Sequence, residues 1–153
     1  MDKWDETYIS IADTFAGLSS AKRAKVGAVI VRAYGKSIIG VGYNGMPSGW
    51  TNECEDYYTM IREDGERIIE SKTKPEVLHA EANAIMKVAQ STESTFGATI
   101  YCTMLPCLDC AKLIYQAGIK RVVYRDSYPK GTAGLEFLQK CDILVEHYVQ
   151  CDK

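Results

Sequence analysis

At 153 residues, with 46% hydrophobic and 10% aromatic side chains, the chain has the size and apolar content of one packed domain spanning 1–153. Eighteen basic residues against twenty acidic ones, a formal net charge of −2, exclude disorder driven by charge. They also speak against a nucleic-acid partner, because gripping that backbone needs clustered Lys and Arg; a small anionic substrate needs only one local basic pocket. No apolar run of about 18 residues is present, and the start Met1-Asp2-Lys3-Trp4-Asp5-Glu6 is too charged for a signal peptide. A cytoplasmic protein with no membrane partner is therefore expected.

In chain order, residues 1–18 carry Trp4, Tyr8, Ile11 and Phe15 at helical spacing after a capping Asp2, which predicts a helix. Two β-branched runs, 26–31 and 37–42, joined by Ala33-Tyr34-Gly35-Lys36, predict a hairpin. A Gly/Pro loop follows at 43–49. Residues 50–76 are polar and charged and are expected to be the least regular part, with a surface helix over 53–62. A helix is predicted at 78–90, a strand at 98–104, a Pro-marked helix at 107–117, a strand at 119–125, a helix at 134–140 and a last strand at 143–149. Strands alternating with helices imply an α/β fold, a mixed sheet of about five strands with helices on both faces.

In a reducing compartment the six cysteines are read first as metal ligands or catalytic groups. Two segments carry the chemistry: His79-Ala80-Glu81 and Pro106-Cys107-Leu108-Asp109-Cys110. A helix–strand–helix unit can bring the starts of its two helices together, so His79 can meet Cys107 28 residues later. Cys107 and Cys110, three apart at a helix start, point to one side, where the helix dipole favours thiolates. Three ligands leave one tetrahedral position on Zn²⁺ for water, the mark of a catalytic site. Zinc lowers the pKa of such a water to about 7, and Glu81, two residues after His79 on the same helical turn, can accept and return its proton. H-x-E followed by P-C-x-x-C is the known signature of zinc deaminases. A C-x-x-C alone would fit a structural knuckle or a redox pair. Cys54, Cys102, Cys141 and Cys151 lack ligand spacing and are expected as small buried hydrophobes, and His147 as a structural residue.

Beyond that signature, Val26-Gly27-Ala28-Val29-Ile30-Val31, Gly42-Tyr43-Asn44-Gly45-Met46-Pro47-Ser48-Gly49, His79 to Met86 and Pro106 to Lys120 closely resemble the deoxycytidylate (dCMP) deaminases, a likeness extending over residues 19–124. The resemblance implies the three-layer α/β/α cytidine-deaminase-like fold. It also implies one catalytic zinc on His79, Cys107 and Cys110, Glu81 as proton shuttle, and conversion of dCMP to dUMP, the precursor for thymidylate synthesis. It further implies a homohexamer, activated by dCTP with Mg²⁺ and inhibited by dTTP. The Gly42–Gly49 loop resembles the family's nucleotide-holding loop, which nominates Tyr43, Asn44 and Gly45 for substrate or effector contacts; a tight turn needing glycines is the alternative.

For the 5′-phosphate the densest basic cluster, Lys22, Arg23 and Lys25, is the candidate, against a solvated surface cluster. Tyr115 is nominated for the sugar or pyrimidine, against a packed aromatic. Some family members carry a second, structural zinc; the Cys and His for it are missing here, and none is expected. The competing functions are a zinc-dependent deaminase of another cytosine nucleoside or base without allosteric control, an RNA-editing relative, and a structural zinc protein.

Overall fold

The computed structural model describes residues 1–149. Its elements run α1 (Lys3–Ala16), β1 (Gly27–Val31), β2 (Ile38–Tyr43), β3 (Glu55–Ile61), β4 (Arg67–Thr73), α2 (Ala80–Ala89), β5 (Thr99–Met104), α3 (Leu108–Gln116), β6 (Arg121–Asp126), α4 (Ala133–Lys140) and β7 (Leu144–His147). Five strands form the central sheet in the order β2-β1-β5-β6-β7. β1 is antiparallel to β2 and β5, and β5, β6 and β7 are parallel. The mixed α/β sheet expected from the sequence is therefore present.

The sheet separates two apolar clusters. Ala28 and Ile30 of β1 join Ile100, Cys102 and Val122 against α2, α3 and α4. Val29 and Val31 point the other way, to Tyr8, Ile9 and Ala12 of α1. This alternation, with every residue of β1 buried, is the two-residue period of a strand covered on both faces. Asp2 caps α1 as predicted, accepting from the N–H groups of Trp4 (2.8 Å) and Asp5 (3.0 Å). The face that α1 buries is centred on Asp5, Tyr8, Ile9, Ala12 and Ala16, rotated from the Trp4–Ile11–Phe15 stripe, because the tight approach to β1 favours alanines. At Gly27 a Cβ would lie 1.9 Å from the Ala12 carbonyl oxygen.

The helix expected at 53–62 is absent. Residues Glu55–Ile61 and Arg67–Thr73 instead pair as an antiparallel ribbon separate from the main sheet. The run Tyr57-Tyr58-Thr59 favours a strand, and Asp64-Gly65 makes the turn: Gly65 adopts φ +83° and Asp64 Oδ1 accepts from the Glu66 N–H at 2.9 Å. The segment 50–76 is thus more regular than its composition suggests. The ribbon leaves Tyr57, Met60, Ile61 and Ile69 exposed. Cys54 and Cys102 are buried as expected and Cys141 is half-buried; Cys151 lies outside the described residues. His147 donates from Nε2 to the Arg125 carbonyl at 2.6 Å and stacks on Tyr124, which is the structural role expected. Among the described residues no helix is long and apolar enough to cross a membrane.

Candidate active site

His79 and Cys107 are the residues that precede α2 and α3, each extended, and each gives its carbonyl to the first helical hydrogen bond (Asn83 N–H at 3.0 Å and Ala111 N–H at 2.9 Å). Both helices begin beside the C-terminal end of β5, so their positive dipole ends converge on the same place. The loop before His79 is held by Gly45 and Leu78, whose backbones exchange hydrogen bonds at 3.1 and 2.8 Å. Asn83, in the first turn of α2, donates to the Tyr43 carbonyl at 2.8 Å and ties the helix to β2.

His79 Nδ1 lies 3.5 Å from Cys107 Sγ and 3.4 Å from Cys110 Sγ. The edge of a zinc tetrahedron between an imidazole nitrogen and a thiolate sulfur is about 3.6 Å from ordinary bond lengths, so the three donors fit one Zn²⁺. All three ligand atoms lie within 4.8 Å of one another. Among the three side chains, hydrogen bonds from Cys110 and then His79 hold the Cys107 thiol far below its usual range, against burial. The charge on Cys107, accepting from Cys110, in turn pushes the Cys110 thiol up. The hydrogen bond to Cys107 raises His79. A divalent cation is what allows both sulfurs to be thiolates together.

Glu81 is 4% exposed, on the first turn of α2. Burial raises its carboxyl above the ordinary carboxylate range, opposed by a backbone hydrogen bond and by His79. A buried acid whose pKa is moved towards neutrality is suited to accept and return protons.

Glu81, His79 and Cys107 open onto a cavity of about 220 Å³. Of the residues nominated from sequence, Arg23 and Asn44 line it. Asn44 spans the start of β1: its Oδ1 accepts from the Val26 N–H at 2.8 Å and its Nδ2 donates to the Ala24 carbonyl at 2.9 Å. Tyr43 and Gly45 support this loop through their backbones and do not line the cavity. The basic cluster is divided. Arg23 faces the cavity, whereas Lys22 directs its ammonium over the Tyr57 ring at 5.9 Å, and exposed Lys25 is not on the wall. Tyr115 is also off the wall: it packs edge-on against Phe137, the ring centroids 6.1 Å apart. It sits on the side of α3 that meets α4 and remains 46% exposed.

The wall also includes residues that sequence reasoning missed. Glu55, at the start of β3, is buried and accepts from the backbone N–H groups of Lys22 (2.8 Å) and Arg23 (3.1 Å). Tyr128, Pro129 and Lys130 close the wall from the loop between β6 and α4. The dipeptide Pro129-Lys130 before Gly131 was a visible turn signal, but nothing local showed that this turn reaches the zinc ligands.

Three donors that fit one metal ion, with a buried acid on the same cavity wall, are the parts of a metal-dependent hydrolase. The comparisons with known proteins narrow this. The profile of the cytidine and deoxycytidylate deaminase zinc-binding region matches residues 2–126. This chain belongs to that deaminase family. The human deoxycytidylate deaminase is 37% identical over 94% of this chain and 84% of its own; the mouse protein of the same name is 39% identical over 88% and 74%. The dCMP deaminase of cyanophage S-TIM5, solved in complex with dCMP and dUMP, superposes with a TM-score of 0.82. It is 43% identical, over 97% of this chain and 99% of that one.

Proposed function

We propose that this chain deaminates dCMP to dUMP and ammonia and so supplies dUMP for thymidylate synthesis. The observation that carries the reading is the 3.4–3.5 Å imidazole–sulfur geometry beside buried Glu81, in a chain similar over nearly its whole length to a deaminase solved with dCMP and dUMP. Zinc, when bound by His79, Cys107 and Cys110, supplies a water acidified to a pKa near 7. Glu81 would take one proton from the water as its oxygen bonds to C4 of the cytosine ring and pass it to N3, then take the second proton from the new C4 hydroxyl and deliver it to the exocyclic amine, so that C4=O forms as the C4–N bond breaks and ammonia leaves. Asn44 and Arg23, on the same wall, are the nucleotide contacts of this reading.

The proposal extends to regulation. The Gly42–Gly49 loop resembles the nucleotide-holding loop of regulated, hexameric dCMP deaminases, and a triphosphate effector must bind apart from a cavity that takes the monophosphate. Activation by dCTP–Mg²⁺ and inhibition by dTTP then require each to prefer one of two states, since a ligand of equal affinity for both shifts nothing. Loss of dCMP absorbance, followed with and without dCTP–Mg²⁺ or dTTP and against deoxycytidine, tests both parts. Comparable kcat/KM for dCMP and deoxycytidine would reassign the substrate, and hyperbolic kinetics unmoved by millimolar effectors would remove the regulation.

A further inference from the structure

The described residues lining the active-site cavity include four charged side chains that are not metal ligands: Arg23, Glu55, Glu81 and Lys130. Glu81 is assigned to proton transfer, and Glu55 is occupied with the backbone of Lys22 and Arg23. That leaves Arg23 and Lys130 as the cations a substrate anion would meet. Their situations differ. Arg23 already donates from Nη1 to the Ser71 carbonyl, which fastens it to the β3–β4 ribbon. Lys130 takes part in no ion pair and no side-chain hydrogen bond among the described residues, though it shares a cavity of about 220 Å³ with His79 and Glu81. All three donors of its ammonium are therefore available to a ligand.

Its placement is fixed by the fold. Lys130 lies in a turn closed by the Gly131 N–H donating to the Tyr128 carbonyl at 3.3 Å, with Gly131 at φ +114°. Gly134, in the α4 that follows, presses on the cysteine loop so closely that a Cβ would lie 2.1 Å from the Pro106 carbonyl oxygen. The turn thus stays beside Cys107. A nucleotide whose ring reaches buried Glu81 must direct its 5′ end outward, towards the exposed rim where Lys130 stands.

We infer that Lys130 is a specificity-determining residue that reads the 5′-phosphate and sets the preference for nucleoside monophosphate over nucleoside. The inference rests on dCMP being the substrate. It assigns the phosphate to a residue far in sequence from the Lys22–Lys25 cluster.

The test compares kcat/KM for dCMP and deoxycytidine in the zinc enzyme and in its Lys130→Ala and Lys130→Arg variants. A hydrogen-bonded charge partner lost from a phosphate predicts a fall of about 10- to 100-fold in the dCMP-to-deoxycytidine ratio. The fall should lie chiefly in KM for dCMP, and Lys130→Arg should restore most of the ratio. If deoxycytidine turnover is too slow to measure, the ratio of dissociation constants for dUMP and deoxyuridine, read by calorimetry, replaces it. An unmoved ratio, whether both substrates suffer equally or neither does, overturns the inference while the dCMP reading stands. A parent enzyme with no preference for dCMP would instead overturn the reading on which the inference rests.

Discussion

Gly45 and Leu78 exchange both of their backbone hydrogen bonds, at 3.1 and 2.8 Å, in a bridge outside any strand. Through it the loop that carries Asn44 and the residue preceding His79 move as one piece. Cavity wall and candidate metal ligand are thus mechanically linked, and the packing of α2 on β2 sets the position of both.

The first prediction follows from that packing. A Cβ at Gly42 would lie 2.2 Å from the Ala80 carbonyl oxygen and 2.6 Å from the Ala84 nitrogen. These are backbone atoms that cannot swing aside. Gly42→Ala should therefore push α2 off β2, at a cost of about 1–3 kcal/mol, and displace His79 and Glu81. Urea unfolding should show the loss of stability, and elemental analysis a lowered zinc content. A variant of parental stability and full zinc would mean that α2 adjusts without strain.

The second concerns Asp5, a carboxylate 4% exposed. Burial raises its pKa, but hydrogen bonds from Arg121, from the Asp2 N–H and from Tyr101 more than offset this, and the net shift is downward. A depressed folded-state pKa contributes stability above the ordinary value of 3.8, and that contribution is lost as pH falls through the folded value. Asp5→Asn should cost about 2 kcal/mol at neutral pH, below the usual figure for breaking a buried pair, because Arg121 keeps its second partner Glu146. The difference between parent and variant in urea midpoint should be full near neutral pH and shrink below about pH 4. A difference independent of pH would assign the effect to packing.

Glu81 and the metal can be separated. Glu81→Gln should retain one zinc per chain and lose about 10²–10⁴-fold in kcat, because an amide cannot accept the proton. Cys107→Ala should lose the zinc itself, since its Sγ is one of three donors. Chelation should abolish turnover in the parent and added Zn²⁺ restore it. Activity of Glu81→Gln within tenfold of the parent would take Glu81 out of the proton path, and two zincs per chain would show a second site.

How much of this was legible in the sequence depends on how local each feature is. The ligands and Glu81 are fixed by short spacings at two helix starts, and those spacings are written in H-A-E and P-C-x-x-C. The strands of the main sheet announced themselves by β-branched runs such as Val29-Ile30-Val31. The β3–β4 ribbon did not, because acidic and basic residues break the alternation along it, and Asp64-Gly65 was its one plain turn signal. Glu55 and Lys130 were hidden for a different reason. They reach the cavity only after the ribbon and the β6–α4 turn have been placed, so no window of sequence puts them beside His79. The adjacent charges of Lys22 and Arg23 suggested a single site, yet Glu55 pins their backbone so that the two side chains diverge.

Asn44 gives the sharpest test of the cavity wall. Its amide uses both of its polarities: Oδ1 accepts from the Val26 N–H and Nδ2 donates to the Ala24 carbonyl. Asn44→Asp keeps the first bond and turns the second into a contact between a carboxylate and a carbonyl oxygen, which is repulsive. It also sets a negative charge in a cavity proposed to receive a nucleotide anion, with Glu55 and Glu81 already on the wall. Asn44→Ala loses both bonds but adds no charge. The two variants should therefore rank differently by property. Asn44→Ala should lose about 1–2 kcal/mol of stability, as expected for two hydrogen bonds to a partly buried backbone. Asn44→Asp should lose more in kcat/KM for dCMP, with its zinc content intact, and should recover part of that loss as salt screens the charge. Calorimetric titration with dUMP at low and high ionic strength reads the charge effect directly. If Asn44→Asp and Asn44→Ala bind dUMP equally at low salt, the nucleotide's anionic group lies out of range of this residue, and Asn44 serves only to brace the start of β1.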